Sequence, residues 1–211
     1  MKIGILTNGK IENYDFYKEK LKGYDFIICA DGGLAHALHV DVTPEVAVGD
    51  FDSTPTHIVD YFRSKGTQII RYSTIKNETD TEIALAYAFT KNPKSIDIFA
   101  GLGSRLDHSL ANVHLLKQGL EHGVTCRIIT EHNEVLVIDS AVTLNGKVGD
   151  GVSLLPLTEH VSHVCTKGLA YPVEDGEFHI GAPYGVSNYM SKPVAEVKIN
   201  GGLLLVIKYR D

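Results

Sequence analysis

The first 130 residues alternate short apolar runs with longer stretches of helical periodicity, and this alternation restricts the possible folds more than any other feature. In the clearest helical stretch, 105–122, apolar side chains recur at helical spacing until Gly123 ends the pattern. The apolar runs lie at 2–7, 25–30, 46–49, 67–72, 95–100 and 124–130, and the helical stretches at 32–40, 55–65, 79–91 and 105–122. Such alternation predicts a mostly parallel sheet flanked by helices, in three layers.

The pattern changes after about residue 134, beyond which no helical stretch of useful length follows. Short β-rich runs lie instead at 134–139, 151–155, 161–166, 177–180, 194–199 and 203–209. Asn-Gly and Asp-Gly pairs, which favour tight turns, separate several of these runs. The sequence therefore predicts an α/β domain over 1–134, followed by a small C-terminal antiparallel β-sandwich over 135–211.

Charge and cysteine content argue against several classes of function. The chain has 20 basic and 26 acidic residues and no basic stripe, so we expect no nucleic-acid partner. No apolar run approaches the length of a membrane span, and the N-terminus lacks a signal-peptide pattern, so we expect no membrane association. The cysteines, Cys29, Cys126 and Cys165, form an odd, sparse set, which indicates reduced thiols and a cytoplasmic location.

Acidic residues follow the predicted strands or begin the predicted helices of the first domain. They are Asp31, Asp50, Asp52, Asp80 and Asp107. Because ligands of open α/β sheets bind outside the carboxyl ends of the strands, we expect these side chains to converge on one crevice. Converging carboxylates repel one another unless a cation lies between them, and Mg²⁺ prefers such oxygen ligands. Each of these residues alone would be equally well explained as a turn residue or a helix cap.

A glycine-rich turn links the apolar run 95–100 to the helix predicted at 105–122. Gly101 and Gly103 would let the backbone approach an anion, the helix N-terminus offers free N–H groups, and Arg105 suits phosphate oxygens. Lys76, just before Asp80, could also meet a phosphate, although a solvated lysine explains it as well. The chain contains neither a P-loop nor a full dinucleotide-binding fingerprint.

Two histidine pairs have spacings that resemble metal sites, but neither has a third ligand at a spacing typical of zinc sites. His36 and His39 could share a helix face, and His160 and His163 are three residues apart. We interpret all four as surface or packing residues. His108 differs because it follows Asp107 in the predicted crevice, where it could contact a ligand.

Several short motifs together resemble the thiamine pyrophosphokinase family, bacterial type, in order and spacing. They are Ala30-Asp31-Gly32-Gly33, Gly49-Asp50-Phe51-Asp52-Ser53, Thr79-Asp80, Gly103-Ser104-Arg105-Leu106-Asp107-His108, Gly168-Leu169 with Tyr171, and Ser187-Asn188. The resemblance spans nearly the whole chain. Some family members carry Trp where Tyr171 stands, and this sequence contains no Trp.

The resemblance implies roles for individual residues. It implies that Asp50, Asp52 and Asp80 hold Mg²⁺, and that these three residues and Asp107, near the reacting hydroxyl, form the catalytic set. The residues implied to bind ATP or its phosphates are Asp31, Gly32, Gly33, Lys76, Gly101, Gly103, Ser104, Arg105 and His108. Those implied to bind thiamine are Tyr171, Ser187 and Asn188.

The resemblance also implies a reaction and an assembly. The reaction transfers the pyrophosphoryl group of ATP to the hydroxyl of thiamine, which gives thiamine diphosphate and AMP. The assembly is a homodimer whose sites combine the α/β domain of one subunit with the β domain of the other. Two alternatives stay open: a pyrophosphokinase for another hydroxymethyl heterocycle such as a pterin, and a non-catalytic module that binds nucleotide or thiamine.

Overall fold

The chain forms two compact units, Met1–Glu131 and His132–Asp211. The computed structural model describes residues 1–75 and 77–210. The prediction made for Lys76 therefore lies outside the described residues.

The first unit contains a parallel sheet with strand order β6-β5-β1-β2-β3-β4. Its strands are β1 (Lys2–Leu6), β2 (Phe26–Ala30), β3 (Val46–Gly49), β4 (Gln68–Arg71), β5 (Ser95–Phe99) and β6 (Thr125–Ile129). Its helices are α1 (Tyr14–Leu21), α2 (Gly33–His39), α3 (Thr56–Ser64), α4 (Asp80–Phe89) and α5 (Leu106–Glu121). Every apolar run that predicted a strand in this half forms one.

Helices cover both faces of this sheet. On one face, α1, α2 and α3 share a buried core with alternate strand residues such as Leu6, Cys29 and Phe99. The intervening strand residues, such as Ile5 and Ile98, are fully buried, and α4 packs on β1, β2 and β3 beside α5. The predicted three-layer α/β architecture is confirmed.

Helix α1 was not predicted because few of its side chains are buried, which leaves its apolar periodicity weak. Of its eight residues only Tyr17 and Leu21 are buried, so the apolar stripe spans a single i, i+4 pair. The side chain of Asn13 caps the helix by accepting a hydrogen bond from the Phe16 N–H, 3.2 Å away. The helix thus depends on its cap and on tertiary packing more than on its own periodicity.

The second unit contains two antiparallel sheets. One has the strand order β12-β9-β14-β7 and the other β11-β10-β13-β8. The strands are β7 (Asn133–Ile138), β8 (Ala141–Asn145), β9 (Gly151–Pro156), β10 (His160–Lys167), β11 (Gly176–His179), β12 (Gly185–Tyr189), β13 (Val194–Lys198) and β14 (Leu204–Tyr209).

A shared apolar core joins the two sheets of this unit. It includes Leu154 and Val206 from the first sheet, and Val164, Phe178 and Val197 from the second. Two packed antiparallel sheets with one core form the predicted sandwich. Strands β8 and β12 were not predicted, and in β12 the buried side chain is a polar one.

The cysteines of the chain are all free. Cys29 and Cys126 are buried and Cys165 is exposed. Burial raises the pKa of the Cys126 thiol to about 12. Within the part of the chain that the structure describes, no helix is long and apolar enough to traverse a bilayer.

Candidate active site

Residues with an unusual backbone conformation lie after the carboxyl ends of three strands of the parallel sheet. Asp31 after β2, Phe51 after β3 and Ala100 after β5 all have left-handed conformations, with φ values of 40°, 60° and 52°. A non-glycine residue in this region costs about 1–3 kcal/mol. Such a cluster of strained residues marks the carboxyl edge of the sheet as a candidate functional site.

A cleft of about 490 Å³ opens at this edge. Nine residues predicted for the catalytic or phosphate-binding sets line it, namely Asp31, Asp50, Asp52, Asp80, Gly101, Gly103, Ser104, Arg105 and His108. Residues far apart in sequence thus meet because parallel strands end at one edge.

Three carboxylates form the centre of the cleft. Asp31, Asp50 and Asp52 each place a ligand oxygen within 4.8 Å of the others. Asp31 is buried, which raises the pKa of its carboxyl group, and the charges of Asp80 and Asp52 raise it further. A cation would relieve this cost of ionising Asp31.

Local hydrogen bonds hold these carboxylates in place. Asp50 Oδ1 accepts a hydrogen bond from the Asp52 N–H at 3.1 Å, and Ser53 Oγ donates to Asp52 Oδ1 at 2.9 Å. Thr54 Oγ1 lies 3.4 Å from Asp31 Oδ1. This oxygen-only set fits a hard divalent cation such as Mg²⁺. The set differs from the predicted metal ligands, since Asp31 joins Asp50 and Asp52 while Asp80 lines the same cleft.

Arg105 and Asp107 contact each other. Arg105 Nη2 lies 2.5 Å from Asp107 Oδ2, and Nε lies 3.2 Å from Oδ1. This bidentate pair lowers the pKa of the Asp107 carboxyl to about 2. Both side chains are exposed, and Arg105 lines the cleft whereas Asp107 is not among the described lining residues.

Polar side chains, of which Thr7 and Asn112 are buried, anchor the glycine-rich turn. Asn112 on α5 donates from Nδ2 to the Gly101 carbonyl at 2.7 Å, and Thr7 Oγ1 donates to the Ala100 carbonyl at 2.5 Å. Ser109 Oγ accepts from the Gly103 N–H at 3.0 Å. These bonds fix the turn before any anion arrives, and none of these anchors was predicted.

The segment after β1 also lines the cleft, which the sequence did not reveal. Asn8, Gly9 and Lys10 face the glycine-rich turn because β1 and β5 are neighbours in the sheet. A Cβ atom at Gly9 would lie 2.0 Å from the Ala100 carbonyl oxygen, so only glycine fits there. His36 fixes the same segment, with its Nε2 2.9 Å from the Gly9 carbonyl.

Gly32 and Gly33 have a packing role at the start of α2. A Cβ atom at Gly33 would lie 2.0 Å from the Leu6 carbonyl oxygen, so α2 could not approach β1 as closely with a larger residue. Neither glycine is among the described residues that line the cleft. Their predicted contact with ATP stays a prediction.

In the second unit, the residues predicted to bind thiamine are neighbours. The buried Asn188 accepts the Tyr171 N–H at 3.1 Å on Oδ1 and donates from Nδ2 to the Tyr171 carbonyl at 2.6 Å. The Tyr171 ring is 65% exposed and meets the Tyr189 ring edge-on at 5.9 Å. Ser187 has a left-handed φ of 60°, at a bulge in β12. Asn188 therefore positions the backbone of Tyr171, whose ring is free to contact a ligand.

Ser187 and Asn188 also border a cleft of about 610 Å³ within the second unit. Tyr189, Tyr209 and Arg210 line it as well. Arg210 is held by a bidentate pair with the buried Asp150, at 2.9 and 2.7 Å.

The fold and the first cleft define a class of protein. An α/β unit with an acidic, glycine-lined cleft at the carboxyl edge of its sheet is typical of enzymes that handle phosphate esters with a hard divalent cation. Residues 17–128 match the family model "Thiamin pyrophosphokinase, catalytic domain", and residues 138–204 match "Thiamin pyrophosphokinase, vitamin B1 binding domain". The chain belongs to the thiamine pyrophosphokinase family.

Relatives and solved structures are similar to this chain in sequence and in fold. The chain is 26% identical over 189 residues to "Thiamine pyrophosphokinase" of Bacillus subtilis (strain 168), with 87% of each chain covered. A crystal structure of thiamine pyrophosphokinase from Bacillus subtilis has a TM-score of 0.89 at 23% identity, covering 100% of both chains. Thiamin pyrophosphokinase from Geobacillus thermodenitrificans has a TM-score of 0.86 at 26% identity, covering 100% of this chain and 98% of that one.

Proposed function

We propose that this enzyme transfers the pyrophosphoryl group of ATP to the hydroxyl of thiamine, releasing AMP. The observation that carries this proposal is the acidic cluster of Asp31, Asp50 and Asp52, which lies within the residues that match the family's catalytic domain. The match of 138–204 to the vitamin B1 binding domain favours thiamine over a pterin or another heterocycle.

We infer that Mg²⁺ is the metal, held by Asp50, Asp52 and Asp80, with Asp31 beside them. The all-oxygen set and the raised pKa of Asp31 support a hard cation at this point. When bound, Mg²⁺ would neutralise charge on the phosphates of ATP. By holding the cation, the carboxylates would help to position the triphosphate, which they would otherwise repel, and such transfers depend mainly on orientation and charge.

The chain's own cations and N–H groups would bind the phosphates. Arg105 lines the cleft, and Lys10, with a side chain 70% exposed, stands on the segment opposite the glycine-rich turn. Only Nε and Nη2 of Arg105 bind Asp107, so the guanidinium keeps N–H donors for a phosphate. If Arg105 turned from Asp107 to ATP, the pKa of the Asp107 carboxyl, which Arg105 lowers, would rise toward its ordinary value.

The products of the reaction test the proposed function. Incubation with ATP, Mg²⁺ and thiamine should yield AMP and thiamine diphosphate in equal amounts, because the attack falls on the β-phosphorus. Chromatography of nucleotides and thiamine esters measures both. Stoichiometric ADP with thiamine monophosphate would indicate an ordinary kinase, and AMP formed only with a pterin would reassign the substrate. A folded protein that binds both ligands without turnover would be a binding module.

Tyr171→Ala tests the thiamine contact. If the exposed ring stacks on the cationic thiazolium, its loss should weaken thiamine binding by roughly 0.5–2 kcal/mol. ATP binding should hardly change, since the predicted phosphate contacts lie in the first unit. Isothermal titration calorimetry with thiamine and with ATP measures the change in affinity for each ligand. Tyr184→Ala, which removes another exposed tyrosine ring of the same unit, is the matched control. Equal losses of affinity for ATP and for thiamine would mean that Tyr171 stabilises the fold and does not contact thiamine.

We further propose a homodimer whose sites each combine the first unit of one subunit with the second unit of the other. The division of predicted residues supports this, because the cleft with its carboxylates is lined by the first unit alone and Tyr171 belongs to the second. The free thiols support a cytoplasmic location.

A further inference from the structure

Pairing of β10 with β11 brings together histidines that are far apart in sequence. His160 and His179 are direct partners in the antiparallel register, and their rings stack with centroids 4.7 Å apart and planes at 20°. Both side chains are exposed, whereas the next pair, Val161 and Phe178, is buried in the core. The two imidazoles therefore stand together on the outer surface of the sandwich.

A carboxylate joins this pair. Glu177 Oε2 is hydrogen-bonded to Nε2 of His160, and Oε1 lies 3.5 Å from the backbone N of His163. Glu177 lies two residues before His179 on β11, so both point to the same face. If a cation replaced the proton between this imidazole nitrogen and this carboxylate oxygen, two of its ligand atoms would already be in place.

A second histidine–carboxylate pair lies next to the first. The register of β10 shifts between Val161 and Val164, and His163 within this bulge has a φ of 54°. His163 Nδ1 lies 2.5 Å from Asp175 Oδ1. Bulges redirect side chains, and this one adds a further imidazole beside Glu177.

We propose that His160, Glu177 and His179 form a second metal site, which binds a divalent transition-metal cation of the Zn²⁺ class. Two imidazoles and one carboxylate with a water are an established ligand set for Zn²⁺ and a poor one for Mg²⁺, which prefers oxygen. The site is therefore chemically distinct from the acidic cluster in the first unit. It lacks the sequence spacing of a zinc motif because its ligands come from two strands.

Binding requires a small rearrangement. Among the described residues only Asp31, Asp50 and Asp52 already place three ligand atoms within 4.8 Å of one another. The side chains of His160 and Glu177 are 46% and 45% exposed, so they can rotate between staggered conformers without disturbing the core.

Zinc titration of the untagged, metal-stripped full chain tests this proposal. In the presence of excess Mg²⁺, which occupies the acidic cluster, calorimetry should detect one Zn²⁺ per chain. His160→Gln and His179→Gln should each weaken the binding at least about tenfold, as expected for the loss of a ligand. His114→Gln, which removes an exposed histidine of α5, is the matched control and should leave the affinity unchanged. Binding should persist in an Asp52→Asn background.

Nuclear magnetic resonance of the wild-type imidazoles gives a readout that needs no variant. Zn²⁺ should shift the ring nitrogens of His160 and His179 and leave those of His114 in place. Equal Zn²⁺ binding by the wild type and a His160→Gln, His179→Gln double variant, or an absence of ring shifts, would overturn the proposal. The cluster would then serve only to hold β10 and β11 together, and melting temperatures of the same variants would report that role.

Discussion

Replacement of Asp52 by Asn should lower kcat/KM for pyrophosphoryl transfer at least about a hundredfold, the scale for loss of a major electrostatic contributor. The amide keeps the size of the side chain but removes a negative charge from a cluster whose ligand atoms lie within 4.8 Å. With that charge gone, the site would hold Mg²⁺ less tightly and orient the phosphates less well. Steady-state rates over a range of Mg²⁺ concentrations measure the effect, and excess Mg²⁺ should restore part of the activity.

The same variant should fold and should be no less stable than the wild type without metal. Removing a like charge eases the ionisation of Asp31, whose pKa the charge of Asp52 raises. Asp41→Asn is the matched control, since the Asp41 side chain is 87% exposed and its ion pair with Lys18 is long, at 3.8 Å. Near-normal turnover by a folded Asp52→Asn protein would remove Asp52 from the site.

The acidic half of the site was predictable because each aspartate and the apolar run that precedes it lie in one short segment of sequence. Asp31 and Asp50 directly follow the apolar runs of β2 and β3, and Asp52 lies two residues after Asp50, so recognising the strands places these carboxylates at their carboxyl ends. The sheet then brings them together without further information. The same logic predicted the glycine-rich turn after β5.

The opposite wall of the cleft was not predictable, because it depends on the order of strands. Asn8, Gly9 and Lys10 follow β1 as the aspartates follow β2 and β3, yet the Gly9 N–H reaches the Ala100 carbonyl only because β1 lies between β2 and β5. Nothing in the local sequence specifies that order. The pair of Arg105 with Asp107 was missed for another reason: the resemblance implied a different ligand for each residue, whereas in the structure the two side chains bind each other.

In the second unit, polar residues with structural roles obscured the pattern. β12 has the sequence Gly-Val-Ser-Asn-Tyr, and its buried side chain is Asn188, which binds backbone instead of packing against the core. A strand is detected in a sequence by apolar residues at its buried positions, so a strand whose buried residue is polar is not detected. The resemblance located Asn188, but only the structure reveals that it holds Tyr171.

At thiamine concentrations below the KM, mixed dimers should be more active than either parent variant. The parents are Asp52→Asn, which damages the first unit, and a Tyr171→Ala, Ser187→Ala double variant, which damages the second. In a twofold dimer with sites shared between subunits, one site of a mixed dimer would collect both defects and the other would have none. Random exchange of equal amounts gives about half mixed dimers, so roughly a quarter of all sites should be intact.

Co-expression with two different affinity tags isolates the mixed species, and its specific activity should approach about half that of the wild type by the same symmetry argument. Each parent, co-expressed with itself under the same two tags and purified in the same way, is the control. If each site were instead built within one chain, every site in the mixed dimer would carry a defect. Purified mixed dimers no more active than their parents would therefore contradict the shared site, while leaving the assignment of Asp52 to catalysis intact. A monomer in sedimentation analysis would contradict the dimer itself.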